Sequence, residues 1–193
     1  MSTPIQLIVG LGNPGREYEQ TRHNAGIWLV ERLAQQENIE LRTEKKFFGA
    51  IGKISLGQQD CWLLIPNTYM NLSGQATQAV TNFYRIEPQA ILVAHDELDL
   101  PVGTARLKQG GGDGGHNGLR DITAKLNCKN YWRLRIGIGH PGHRDRVHDY
   151  VLSKPSRSDH DQILTAIENA ITILPQFVSG EHQKATQQLH TQG

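Results

Sequence analysis

Short apolar runs, each closed by polar or turn-forming residues, recur along this chain of 193 residues. The runs at 5–9 and 90–94 are almost continuous and contain β-branched side chains, a pattern typical of strands buried on both faces. The runs at 47–56 and 61–65 flank a turn-forming stretch at 57–60 and predict a β-hairpin. Together these runs predict a sheet with a buried centre.

Two more strands are expected in the second half of the chain. Residues 104–109 predict a short one. In residues 132–138, apolar positions alternate with Arg133, Arg135 and Gly137. That alternation predicts a strand with one apolar face and one basic or small face.

Between the strands, apolar residues recur at spacings of three and four, which is the period of amphipathic helices. Four such stripes are present: Ile27, Val30, Leu33 and Ala34; Ala76, Val80 and Phe83; Leu119, Ile122, Thr123 and Leu126; and Ile163, Ile167, Ala170, Ile171 and Leu174. We expect Asn24 and Ser73 to cap the first two helices and the last helix to follow Ser158. Pro175 is expected to end that last helix.

Strands interleaved with helices indicate a single α/β domain over residues 1–193, with the hairpin making the sheet mixed. The segment after Gly180 (181–193) is expected to be a weakly held tail. No apolar stretch approaches the ~18 residues of a membrane span, and no secretory leader is visible. Two cysteines, Cys61 and Cys128, cannot form a disulfide framework, so the cytoplasm is the expected compartment.

A net charge of +1 conceals an uneven distribution of charged residues. Residues 105–146 contain nine Lys or Arg against three acids, a net +6, and the remainder carries 11 basic and 16 acidic residues, a net −5. A basic half suggests a polyanionic partner, and an ordinary solvated surface is the alternative. Charge alone does not separate the two.

Several common catalytic signatures are missing from the sequence. The glycine-rich stretch at 10–15 lacks the spacing of a dinucleotide fingerprint, and no Gly-Lys-Ser or Gly-Lys-Thr follows either glycine-rich segment, which disfavours a nucleotide-dependent enzyme. No His-Glu-x-x-His or Cys-x-x-Cys is present, and His95-Asp96-Glu97 is a weak metal candidate. No Gly-x-Ser-x-Gly elbow occurs, and Cys61 lies within an expected strand. The sequence thus predicts neither a cofactor nor a metal.

A histidine and an aspartate remain as candidates for acid–base chemistry. His23 and Asp96 both follow apparent strand ends, where open α/β sheets place their ligands. A carboxylate beside a histidine orients the ring and stabilises its charged form, as a general base requires. Asn13, Asn71 and Asn117 follow three other elements and could serve an oxyanion or a substrate N–H, although loop asparagines more often only make turns.

Five blocks between residues 10 and 141 contain longer motifs. They are Gly10-Leu11-Gly12-Asn13-Pro14-Gly15 with Tyr18 and Thr21-Arg22-His23-Asn24-Ala25-Gly26, then Thr68-Tyr69-Met70-Asn71-Leu72-Ser73-Gly74, His95-Asp96-Glu97-Leu98-Asp99-Leu100-Pro101, Gly114-Gly115-His116-Asn117-Gly118-Leu119, and Arg133-Leu134-Arg135-Ile136-Gly137-Ile138-Gly139-His140-Pro141. In order and spacing the chain resembles bacterial peptidyl-tRNA hydrolases over about residues 5–190. Two positions depart from the pattern of that family: Tyr69 stands where the family often has Phe, and Asp113 stands in the glycine-rich loop where the family often has His.

The resemblance implies a monomeric, metal-free α/β enzyme with a mixed twisted sheet flanked by helices on both faces. It implies hydrolysis of the ester between a peptide and the terminal ribose of tRNA, recycling peptidyl-tRNA released prematurely from ribosomes. By the same resemblance His23 activates water, Asp96 supports His23, and Asn13 helps tell peptidyl-tRNA from free aminoacyl-tRNA. The expected contacts with the substrate's tRNA end or peptide come from Tyr18, Tyr69, Met70, Asn71, His116 and Asn117.

A tRNA substrate would be the polyanionic partner that the basic half of the chain suggests. Arg106, Lys108 and Arg135, with Arg144 and Arg146, are expected to neutralise phosphates of the acceptor stem. Two alternatives stay open: a non-catalytic tRNA-binding module of the same fold, and an aminopeptidase-like hydrolase, which would normally need metal ligands or a recognisable nucleophile.

Overall fold

Seven strands form one mixed sheet in the computed structural model, which describes residues 2–192. The strands are β1 (Leu7–Gly10), β2 (Arg42–Glu44), β3 (Gly49–Leu56), β4 (Gln59–Pro66), β5 (Ile91–Glu97), β6 (Ala105–Gln109) and β7 (Trp132–Gly137). Their order across the sheet is β2-β3-β4-β1-β5-β7-β6. The predicted hairpin is confirmed as β3 and β4, whereas the short edge strand β2, which is exposed and polar, was not predicted.

The centre of the sheet is parallel and its edges are antiparallel. Strands β4, β1, β5 and β7 run in one direction, while β2, β3 and β6 pair antiparallel with their neighbours. All residues of β1 are buried, as its apolar sequence predicts for a strand covered on both faces. The carboxyl ends of β1, β4, β5 and β7 therefore meet at one edge, and the loops that follow them share that edge.

Within residues 2–192, six α-helices cover the sheet: α1 (Ala25–Gln36), α2 (Ser73–Tyr84), α3 (Asn117–Leu126), α4 (Val147–Val151), α5 (Arg157–Val178) and α6 (His182–His190). Helices α1, α5 and α6 contribute to the apolar core on one face of the sheet, and α2 and α3 to the core on the other. The three-layer α/β architecture predicted from the sequence is thus confirmed. No helix within residues 2–192 is long and apolar enough to cross a membrane.

Two glycines bring α1 into direct contact with the sheet. A Cβ on Gly26 would clash with the carbonyl oxygen of Ala94 on β5, and one on Gly10 would lie 2.5 Å from the carbonyl oxygen of Gly26. Because only glycine permits this approach, the helix start is held against the ends of β1 and β5. The turn that precedes α1 and carries His23 is thereby brought next to the end of β5.

The second half of the chain requires several corrections. The segment after Gly180 is not a weakly held tail, because α6 buries Ala185 and Leu189 against the core; Gly193 lies outside the described residues. Pro175 does not end α5, which continues to Val178. A proline inside a helix removes one main-chain hydrogen bond, but the buried side chains of Phe177 and Val178 hold the last turn in place.

Local capping also differs from the prediction. Neither Asn24 nor Ser73 caps a helix through its side chain, and α5 is instead capped by Ser156, whose hydroxyl oxygen accepts from the N–H of Asp159. Phe83 is 57% exposed rather than part of the core stripe of α2. The short helix α4 was not predicted.

Candidate active site

Loops from three parallel strands and the start of one helix converge at the carboxyl edge of the sheet. The loop after β1 supplies Asn13 and His23, the end of β5 supplies Asp96, and the loop after β4 supplies Met70. The start of α3 adds His116 from the other face of the sheet. Residues far apart in sequence therefore meet because the strands that carry them are parallel neighbours.

His23 and Asp96 form a hydrogen-bonded pair. Nδ1 of His23 lies 3.0 and 2.9 Å from the two carboxylate oxygens of Asp96, whose side chain is 2% exposed. An ionised carboxylate only accepts, so Nδ1 of His23 carries a proton and its Nε2 is the nitrogen with a free lone pair. The predicted meeting of these two side chains is confirmed.

The electrostatics of this pair suit a base that exchanges protons near neutral pH. Burial disfavours the charged ring of His23, but the charge of Asp96 and the hydrogen bond to it outweigh this and raise the pKa of His23 above 6.5. For Asp96, burial acts to raise the pKa, and the adjacent His23 and His116 hold that pKa well below its usual range. Asp96 thus remains ionised while His23 can accept and release a proton.

A second histidine contacts the same carboxylate. Nε2 of His116 lies 2.8 Å from Oδ1 of Asp96, and the rings of His23 and His116 are 5.1 Å apart between centroids. On its other side, Nδ1 of His116 accepts from the main-chain N–H of Gly118 at the start of α3. The motifs predict that His116 contacts the substrate, whereas in the structure its ring forms a hydrogen bond with Asp96.

Asn13 is fixed from both sides by hydrogen bonds. Its main-chain N–H donates to Oδ1 of Asn24, Nδ2 of Asn24 donates to its carbonyl oxygen, and its own Oδ1 accepts from the N–H of Met70 at 2.7 Å. Within the described residues Nδ2 of Asn13 makes no hydrogen bond, so the amide offers donors more readily than an acceptor. Asn24 was missed as a site residue because its position before α1 predicted a helix cap.

These residues line a cavity of about 660 Å³. Nine of the fourteen residues that the sequence predicted for catalysis or substrate binding are in its wall: Asn13, His23, Tyr69, Met70, Asn71, Asp96, His116, Asn117 and Arg144. Tyr18 is outside the wall, although its ring packs edge-on against Tyr69 with centroids 6.3 Å apart. Arg106, Lys108 and Arg135 are also outside it. The wall further contains His140 and His148, which the sequence did not predict as site residues, whereas Arg146 is outside it.

The basic residues of β6 and β7 form a separate stripe. Arg106 pairs with Arg135 and Lys108 with Arg133 across the antiparallel ladder, so all four side chains project from one face. Arg135 donates to Glu97 at 2.8 Å and is partly neutralised by it. Arg106 is half-buried and Lys108 exposed.

The predicted basic face of β7 is present, but one of its members, Arg133, is buried and only 3% exposed. Its guanidinium packs over the ring of Tyr131 and donates to the carbonyl oxygen of Gly112 at 2.6 Å. This arginine therefore anchors the glycine-rich loop before α3 rather than facing solvent, a role that depends on a contact 21 residues away.

The structure disfavours two other kinds of chemistry, metal-dependent hydrolysis and catalysis by a cysteine nucleophile. Ligand atoms of His23, Asp96 and His116 lie within 4.8 Å of one another, a spacing that a metal ion could bridge. Nδ1 of His23 and Nε2 of His116 both face the carboxylate of Asp96 at hydrogen-bond distance, and a protonated nitrogen offers no lone pair to a metal. Cys61 is buried in β4, and burial raises the pKa of its thiol, which makes it a poor nucleophile.

A carboxylate-supported histidine at the rim of a cavity, on an α/β sheet, is typical of a hydrolase that activates water by general-base catalysis. The peptidyl-tRNA hydrolase family model matches residues 7–193. The chain is 56% identical over 190 residues to a peptidyl-tRNA hydrolase of Azotobacter vinelandii, covering 98% of both chains, and 52% identical to one of Neisseria gonorrhoeae, covering 99% of this chain and all of that one. This chain therefore belongs to the peptidyl-tRNA hydrolase family.

Solved structures agree with this assignment. The crystal structure of peptidyl-tRNA hydrolase from Acinetobacter baumannii superposes with a TM-score of 0.94 at 50% identity, covering 96% of this chain and 94% of that one. A crystal structure of a peptidyl-tRNA hydrolase in complex with N-propanol gives the same TM-score and identity. The resemblance found in the motifs is thus confirmed over nearly the whole chain.

Proposed function

We propose that this chain hydrolyses the ester bond between a peptide and the terminal ribose of tRNA, with His23 as the general base. Its membership of the peptidyl-tRNA hydrolase family supports the reaction and the substrate class. The observation that supports the role of His23 is its Nδ1 contact with Asp96, which leaves Nε2 as the free nitrogen at the cavity wall. This arrangement favours an enzyme over a non-catalytic tRNA-binding module.

The proposed reaction has two steps. A water molecule attacks the ester carbonyl carbon as its proton moves to Nε2 of His23, and the carbonyl oxygen becomes an oxyanion. The carbon–oxygen bond to the ribose then breaks, and His23 returns the proton to the departing ribose oxygen. The products are a peptide with a free carboxylate and a tRNA with a free terminal hydroxyl. Asp96 stabilises the charged ring between the two steps.

Asn13 is proposed to donate to the oxyanion. Its Oδ1 is already bonded to the N–H of Met70, and its Nδ2 hydrogens are the unengaged end of the amide. Fixed neutral donors of this kind stabilise negative charge as it develops, without reorganisation. The sequence left two roles open for Asn13, donor to an oxyanion and acceptor from a substrate N–H, and we propose the first. That Asn13 helps the enzyme to distinguish peptidyl-tRNA from free aminoacyl-tRNA stays a prediction.

The tRNA moiety is proposed to extend from the cavity toward the basic stripe. Tyr69 is 57% exposed at the cavity wall and could stack on a terminal base, with Tyr18 behind it. Arg106 and Lys108 could neutralise acceptor-stem phosphates, while Asn71 and Asn117, both exposed in the wall, could bind the peptide backbone or the tRNA end. We further propose that the enzyme acts as a cytoplasmic monomer.

One assay tests the activity as a whole. Release of N-acetyl-amino acid from N-acetyl-aminoacyl-tRNA is measured with a chelator present, and unblocked aminoacyl-tRNA is the control. We expect rapid release from the blocked substrate, unaffected by the chelator. Tight tRNA binding without release would favour the non-catalytic module, and loss of release with the chelator would favour a metal-dependent hydrolase.

A further inference from the structure

The surroundings of His116 determine which of its nitrogens carries a proton. Nδ1 lies 3.1 Å from the main-chain N–H of Gly118 and 3.4 Å from that of Leu119, in the first turn of α3. Both groups are donors, so Nδ1 must present a lone pair. A neutral imidazole has one N–H, which therefore lies on Nε2, the atom 2.8 Å from Oδ1 of Asp96. His116 is thus an N-cap of α3 and a donor to Asp96 at once.

This double contact opposes a second proton on His116. A proton on Nδ1 would point at the two N–H groups that it now accepts from, and it would add positive charge at the positive end of the α3 dipole. Both effects favour the neutral ring. The capping contact therefore favours the Nε2–H form of His116.

His95, the third imidazole of the group, is restricted in another way. Its Nδ1 lies 2.8 Å from the carbonyl oxygen of Asp96, which can only accept, so Nδ1 carries the proton. Its Nε2 is buried and has no hydrogen-bond partner within residues 2–192. A proton added to that nitrogen would be a buried, unpaired charge. The ring packs edge-on against His116 with centroids 5.1 Å apart.

We propose that His116 is a positioning residue whose capping contact with α3 reserves the catalytic proton for His23. Two rings, His23 and His116, donate to one carboxylate, yet only His23 has a free lone pair at the cavity wall. Asp96 can therefore stabilise the imidazolium of His23 without His116 competing for the proton. The inference rests on the role proposed for His23, and its test has a readout that does not depend on activity.

Other ionisable groups face this cluster and are present in every variant below. Those from the neighbouring elements in the cavity wall are Glu97 and Asp99 after β5, Asp113 in the glycine-rich loop, and His140, Arg144 and His148 near α4. Glu97 is engaged by Arg135, and Asp113 pairs with Arg120 and accepts from the N–H of Gly115.

Nuclear magnetic resonance of the wild-type protein tests the inference directly. With ¹⁵N-labelled histidine, long-range ¹H–¹⁵N spectra distinguish protonated from unprotonated ring nitrogens across pH 5–9. We expect His116 to keep the Nε2–H form throughout, while His23 changes from Nδ1–H to doubly protonated as the pH falls. A proton on Nδ1 of His116, or uptake of a proton by His116 together with His23, would overturn the inference.

His116→Asn separates the capping role from the contact with Asp96. Asparagine is a good N-cap, so α3 should remain capped, but its side chain is too short to replace the imidazole at Asp96. With one donor lost, Asp96 attracts the His23 proton more strongly, and the acid limb of the pH–rate profile should move to higher pH by about half a unit or more.

The pH dependence distinguishes positioning from mere structural support. The rate of His116→Asn should be low near neutral pH and recover at alkaline pH. A loss of rate that is equal at all pH values would overturn the inference. If His23 proves not to be the base, the wild-type spectra still report the state of His116, so the two failures are distinguishable.

Discussion

The main-chain N–H of Met70 donates a 2.7 Å hydrogen bond to Oδ1 of Asn13 and so determines which end of that amide is available. This bond ties the loop after β4 to the loop after β1, and Asn24 holds Asn13 from the other side. The Nδ2 hydrogens are left as the unengaged donors. The contact is therefore the basis for assigning Asn13 to the oxyanion rather than to a substrate N–H.

Asn13→Asp tests that assignment. The carboxylate keeps the acceptor for Met70 but replaces the Nδ2 donors with a negative charge. We expect kcat/KM for N-acetyl-aminoacyl-tRNA to fall by about 100-fold or more, as for the loss of an oxyanion donor. Thermal unfolding should confirm that the variant folds. If Asn13 instead accepts from the substrate, Asn13→Asp would retain most of the activity.

The pH dependence of the reaction should follow the state of His23. Because Asp96 raises the pKa of His23, the free base is lost as the pH falls through a value above 6.5, and the rate should fall with it. In Asp96→Asn the rate should drop by at least about tenfold, and the acid limb should move to lower pH because the stabilising charge is gone. Steady-state rates between pH 5 and 9 measure both effects. An acid limb that does not move would remove Asp96 from the mechanism.

Lys108 and Arg135 should differ in their contribution to tRNA binding. Lys108 is exposed and forms no ion pair within the described residues, whereas Arg135 is held by Glu97. Lys108→Ala should reduce the slope of log Kd against log salt concentration by about one, and Arg135→Ala by less. Binding of a deacylated tRNA over a range of salt concentrations measures both slopes. Equal slopes in wild type and Lys108→Ala would place this lysine away from phosphate.

His95 makes the stability of the fold depend on pH. Burial lowers the pKa of His95 to about 4, below its ordinary 6.5. Between these values the unfolded chain binds a proton that the folded chain does not, so acidification destabilises the fold. Between pH 7 and pH 5 the free energy of unfolding should fall by about 2 kcal/mol more in wild type than in His95→Asn. Urea unfolding at both pH values measures the difference; identical losses would show that His95 titrates normally.

The buried strands and the His23–Asp96 pair could be predicted because their signals are local. An apolar run ending in a polar residue indicates both the strand and its carboxyl end, and parallel strands bring such ends together. Asp96 follows the apolar run of β5, and His23 follows that of β1. Their contact required only that the two strands be neighbours, as they are.

The features that the sequence did not predict depend on contacts between distant residues. Arg133 is buried because the carbonyl oxygen of Gly112 accepts from it, which no local pattern encodes. The last helix, α6, has a weak pattern of its own and is held by packing: its His190 accepts from the N–H of Leu107 on the edge strand β6. The direction of the Asn13 amide likewise depends on Met70, which is 57 residues away.

The proposed mechanism depends most on His23 as the general base that activates water, and a comparison of two histidine variants tests this role directly. Single-turnover hydrolysis of N-acetyl-aminoacyl-tRNA is measured for His23→Ala and for His148→Ala, which removes another histidine from the cavity wall. We predict that His23→Ala slows the chemical step by about 100-fold or more while tRNA binds as in wild type, and that His148→Ala retains most of the rate. A His23→Ala enzyme with a rate close to that of wild type would contradict the account.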